Sequence, residues 1–111
     1  MREVLSELNK TSGITGSMVV GPDGITIAAD LSSRYDNETI GALASSISAT
    51  VSKALEKMQQ SSLQRLTIEA ADGKLLVAAA PVGYLVVTTE ENVNLGLIRL
   101  EMKNAARQLS I

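Results

Sequence analysis

The 111-residue chain contains no cysteine, no histidine, no tryptophan and no phenylalanine. Without cysteine there are no disulfides, thiolate metal sites or cysteine nucleophiles, and without histidine the commonest general base and metal ligand is missing. Most familiar hydrolytic chemistry is excluded, so no catalytic residue and no metal site is expected. Aromatic residues make up 2% of the chain. Tyr35 and Tyr84 alone offer almost no stacking platform for a base or a flat cofactor, and none is expected. The ten Lys and Arg residues are scattered through a chain of net charge −2, which argues against nucleic acid as a partner. No apolar run approaches the roughly 20 residues of a membrane span, and the charged, amphipathic start MREVLSELNK is unlike a secretory leader. A cytoplasmic protein without membrane insertion is expected.

The chain is long enough for one domain with one core, spanning residues 1–111, and its mean hydropathy of +0.16 is slightly apolar. Val4, Leu5 and Leu8 suggest a short helix over about residues 1 to 11. Ser17 to Val20 and Ile25 to Ala29 flank Gly21-Pro22-Asp23-Gly24, which reads as a hairpin turn. A long helix capped by Asp36 or Asn37 then runs to about Gln60. Leu63 to Ala71, Lys74 to Ala80 and Tyr84 to Thr89, separated by Asp72-Gly73 and Pro81-Val82-Gly83, make a meander. Asn94 caps a last helix with Leu95, Ile98, Met102, Ala105, Ala106 and Leu109 on one face.

Leu75 to Ala80, Leu85 to Val87 and Met18 to Val20 are apolar on both alternating faces, so the middle of the sheet is covered on both sides. Arg65, Thr67 and Glu69 alternate with Leu66, Ile68 and Ala70, the pattern of an edge strand with one polar face. Together these predict an α/β three-layer sandwich of the α+β type. Its five-stranded antiparallel sheet has the order 2-1-5-4-3, with the long helix on one face and the two terminal helices on the other.

The long helix is unusual. From Thr39 to Ser52 it has no charged side chain. Ile40, Leu43, Ala44, Ile47, Val51, Ala54, Leu55 and Met58 fall on one stripe, the pattern of a helix packed on a core. Ala42, Ser45, Ser46 and Ala49 lie opposite, with Gly41, Ser48 and Ser52 on a flank, where a solvated helix carries charge. The four serines forgo on the order of 2 kcal/mol of intrinsic helix stability. Gly41, Ser45 and Ala49 form a small-xxx-small run that lets another helix approach closely. A two-fold contact is therefore expected through Gly41, Ala42, Ser45, Ser46, Ala49, Ser52 and Lys53 of the helix and Arg65, Thr67 and Glu69 of the edge strand.

In this setting the sequence resembles the Roadblock family, dynein light-chain-like domains whose bacterial and archaeal members regulate small Ras-like GTPases. The resemblance rests on Gly13-Ile14-Thr15-Gly16 before a hydrophobic strand and Asp23-Gly24 before Ile25-Thr26-Ile27-Ala28. It also rests on the small-residue central helix and on the segment from Asn94 to Glu101. It implies a homodimer joined through the long helix and third strand, whose two-helix layer is a platform for a small GTPase. Some prokaryotic members accelerate GTP hydrolysis without inserting an arginine; others are scaffolds. The function so implied is a noncatalytic interaction module that modulates hydrolysis or location of the GTPase. Lys53, Glu56 and Lys57, which follow the neutral stretch, are candidates either for charge complementarity across an antiparallel helix pair or for docking the GTPase.

Other readings of the residues are weaker. Asp23-Gly24 and Asp72-Gly73 fit turn chemistry better than ligand loops, and neither GxxxxGK[ST] nor GxGxxG occurs. Arg34, Arg65, Arg99 and Arg107 are each conceivable as an arginine supplied to a partner, Arg34 first because it sits on a loop beside Tyr35. Arg99, Lys103 and Arg107 lie at i, i+4 and i+8, either a stripe for an acidic partner or a solvated face. The alternative function is a small-molecule-sensing α/β domain without a GTPase partner.

Overall fold

A computed structural model describes residues 1–109. The elements in chain order are α1 (Arg2–Leu8), β1 (Ile14–Val20), β2 (Thr26–Asp30), α2 (Asn37–Lys57), β3 (Arg65–Ala70), β4 (Gly73–Ala80), β5 (Gly83–Thr89) and α3 (Leu95–Gln108). The sheet is antiparallel throughout, in the order β2-β1-β5-β4-β3, as the residue pattern predicts.

Local chemistry sets the boundaries. Asp36 is the cap of α2, its carboxylate accepting from the Thr39 backbone N–H at 3.1 Å and from the Thr39 hydroxyl at 2.6 Å. The helix ends at Lys57, three residues before the expected end, and Gln59 turns the chain at φ +60. The Asn94 side chain caps α3 by accepting from Leu97 N–H at 3.0 Å. Helix α1 stops at Leu8 rather than near residue 11. There Asn9, the C-cap, keeps helical dihedrals while its side chain donates to the Asp30 carbonyl and accepts from the buried Ser17 hydroxyl at 2.7 Å. That network ties α1 to β1 and β2.

The two faces of the sheet are covered unequally. On one face α1 and α3 bury a large cluster that includes Leu5, Leu8, Val19, Leu76, Leu85, Val87, Ile98, Met102 and Leu109. On the other, α2 packs on β1, β2 and β5, without comparable contact to β3 or β4. The cluster there is small: Met18, Val20, Ala44, Val77 and Val86. Leu66, Ile68 and Leu75, on the same side of β3 and β4, remain only half-buried.

Tight turns hold the sheet to this register. Gly83 adopts φ +147, and a Cβ there would collide with the Val20 carbonyl of the neighbouring strand. Replacing Gly83 by Ala should cost about 2–4 kcal/mol of stability. A Cβ on Gly96, in the first turn of α3, would meet the Asn94 Oδ1 at 3.4 Å, an ordinary contact without a clash. Gly96→Ala should instead stabilise by about 0.5–1 kcal/mol. Urea denaturation of the two variants beside the parent checks both signs.

Candidate protein–protein interface

The position of α2 on the sheet follows from its smallest residues. A Cβ on Gly41 would sit 3.0 Å from Val20 Cγ1 and 3.2 Å from the Thr26 hydroxyl oxygen, so glycine lets the helix lie directly on the first hairpin. One turn later the Ser45 hydroxyl donates to the Pro22 carbonyl at 3.3 Å, over Gly24. Gly41, Ala44 and Ser48 are the buried residues of α2. This corrects the expected orientation. Gly41 and Ser48 are covered by their own chain, Ser45 and Ser52 are half-buried, and of the small-xxx-small run Gly41 and Ser45 serve an intramolecular approach while Ala49 does not. Ala42, Ser46, Ala49 and Lys53 are exposed, as expected of the outer side.

Because the small flank faces the sheet, the apolar stripe is rolled out of it. Residues 41, 44 and 48 centre the buried face, whereas the stripe from Ile40 to Met58 is centred about 70° further round at 100° per residue. Leu43 is 52% and Met58 65% exposed, and Ala54 is open to solvent. Ile40, Ile47, Val51 and Leu55 are half-buried. The sequence pattern identifies these as apolar, but it misses that Leu43, Ala54 and Met58 lie outside the core. The flank they form is turned away from the hairpin.

The edge strand supplies two different surfaces. Its outer backbone edge is free of a neighbouring strand among the described residues. Arg65, Thr67 and Glu69 project to the face opposite α2, where Arg99 of α3 donates to the Thr67 hydroxyl at 3.2 Å and Lys74 lies 3.9 Å from Glu69. They therefore do not continue the α2 surface; Leu66 and Ile68 do. Lys53 and Glu56 line a groove of about 590 Å³ at the C-terminal end of α2, together with Pro22, Ser52, Pro81 and Tyr84, while Lys57 lies outside it. Arg34 is stacked over its neighbour Tyr35, 5.1 Å from the ring centroid, which occupies it within its own loop.

Asp23-Gly24 does turn chemistry: Asp23 Oδ1 accepts from Ile25 N–H at 3.0 Å and Gly24 has φ +85, whereas Gly73 opens β4 without a positive φ. Among the described residues no three acidic, His or Cys side chains converge as metal ligands, and no helix is long and apolar enough to cross a membrane. What the surface offers among the described residues is an open apolar helix flank on the side of an edge strand whose outer edge has no neighbour.

This three-layer arrangement, with one layer incomplete, is the architecture of a known family. The Roadblock/LC7 domain model matches residues 1–89, and the chain belongs to that family. Two uncharacterised proteins of Methanocaldococcus jannaschii are each 46% identical over 106 residues, covering 96% of this chain and 93% of their own. The fold matches a Roadblock/LC7 domain from Streptomyces avermitilis with a TM-score of 0.90 at 16% identity, over 97% of this chain and 92% of that one. It matches Myxococcus xanthus MglB with a TM-score of 0.87 at 21% identity, over 94% and 80%.

One buried group on α2 has no counterpart. The Ser48 hydroxyl is enclosed without a hydrogen-bond partner. Ser48→Ala should therefore raise stability by about 1 kcal/mol, through better helix propensity and loss of an unpaired polar atom. A higher urea midpoint with an unchanged slope is the expected readout.

Proposed function

We propose that this protein is a noncatalytic, cytoplasmic homodimeric module that binds a small Ras-like GTPase and modulates its GTP hydrolysis or location. The observation that carries the dimer is the rolled apolar stripe of α2, which its own sheet covers only in part. A second copy related by a two-fold axis packs its α2 flank against Leu43, Ile47 and Ala54, above Leu66 and Ile68. The free edges of the two β3 strands then pair, and one contact covers both exposed features.

In this dimer the charge-free outer side of the two helices is the docking platform. Ala42, Ser46 and Ala49, which the residue pattern places in the two-fold contact, lie outside it in this arrangement and present small neutral side chains that a partner can approach closely. Lys53, Glu56 and Lys57 at the ends of the helices supply the polar rim. Prokaryotic Roadblock members regulate small Ras-like GTPases, and the family membership of this chain supports the same class of partner.

Two measurements test this. Light scattering at micromolar concentration should give twice the 11.7 kDa chain mass, and Leu43→Asp should give the monomer with the fold intact, because a buried like-charge pair costs several kcal/mol at a two-fold contact. Small GTPases of the same cell should form a complex with the parent protein, measured by titration beside single-turnover GTP hydrolysis, and Ala49→Asp should weaken that complex about tenfold or more. A monomeric parent removes the dimer; a dimer that binds none of the GTPases removes the partner.

A further inference from the structure

On the sheet face opposite α2, the basic residues are not scattered. Arg65 of β3 and Arg99, Lys103 and Arg107 of α3 converge on one groove of about 460 Å³, floored by Leu76, Ala78, Met102 and Ala106. Four of the ten basic residues line it and none of the twelve acidic ones does, in a chain of net charge −2. All four cations are exposed, and among the described residues none lies within 4.0 Å of a carboxylate.

The fold gives no reason of its own for this charge. Helix macrodipole compensation accounts for Arg107 in the last turn of α3. It does not account for Arg99 near the start, in a helix whose first turn holds no acidic residue. Like charges at i and i+4, as in Arg99-Lys103-Arg107, oppose helix formation, and Arg65 adds a fourth from another element. Arg99 is already aimed across the groove by its bond to Thr67 at 3.2 Å. The arrangement is disfavoured in the free chain and favoured with anionic charge in the groove.

We propose that this groove docks an acidic amphipathic helical segment of a partner protein. The apolar floor takes the partner's hydrophobic stripe, and the cations take carboxylates along its sides. Arg99, Lys103 and Arg107 are spaced by one helical turn each, about 6 Å, which matches Asp or Glu at i, i+4 and i+8 on a helix lying alongside. The site lies on the other side of the sheet from α2, so it is independent of the GTPase reading and leaves the α2 surface free for a second partner.

The test uses the full chain and a fluorescein-labelled helical peptide with a leucine stripe flanked by glutamates. Its lysine-for-glutamate counterpart and phosphatidylglycerol vesicles serve as competitors of other chemistry. The acidic peptide should bind with an affinity that falls as salt is raised, and Arg99→Glu with Arg107→Glu should weaken it at least about tenfold. Lys10→Glu, which is exposed and away from the groove, should leave it unchanged. Amide shifts on binding should map to β3, β4 and α3, and the mass by light scattering should not change. If the double variant fails to fold, Lys103→Glu alone should still weaken the peptide. Equal binding of both peptides, loss of binding with Lys10→Glu, or binding to the vesicles in place of the peptide overturns the proposal.

Discussion

Everything in this fold depends on a sheet whose central strands are apolar on both faces. Met18, Val20, Val77 and Val86 point one way and Val19, Leu76, Leu85 and Val87 the other, so neither face tolerates water. The terminal helices cover one face with long side chains. The single helix α2 must cover the other, and it does so by close approach over β2, β1 and β5, using Gly41, Ala44 and Ser48 where larger residues would hold it off. The half of the sheet near β3 is left short of cover. An apolar helix flank and a free strand edge remain open on that side, and these two exposures have one cause.

Most of the architecture was legible in the residues, because strand order, caps and turns are written locally. The two-faced apolarity of β1, β4 and β5, the polar alternation of β3, and the Asp36 and Asn94 caps each needed only a few neighbouring positions. The rotation of α2 was not legible. Periodicity marks where the apolar residues lie on a helix, but not which part of a wide stripe meets the chain's own sheet and which part is left over. Gly41 and Ser45 read equally well as a contact for another helix or for the chain's own hairpin. Only the position of Val20, Thr26 and Pro22 decides between them. In the same way Arg65 carries no mark in sequence that links it to Arg99, 34 positions later; the edge position of β3 beneath α3 makes the groove.

The surfaces divide accordingly. On the α2 side lie an open apolar flank and a small, neutral outer surface, the features on which the proposed homodimer and its partner contact rest. On the α1 and α3 side lies a basic groove with an apolar floor. A Roadblock domain built this way presents two chemically unlike surfaces, one on each face of a shared sheet.

The most direct test of the central claim, that the open half of the α2 face is closed by a second copy, is amide hydrogen exchange at the two sheet edges. The β3 amides that do not bond to β4 should be protected at high protein concentration and lose that protection on dilution, while the outward amides of β2 exchange freely throughout. Equal, concentration-independent exchange at both edges would contradict the account.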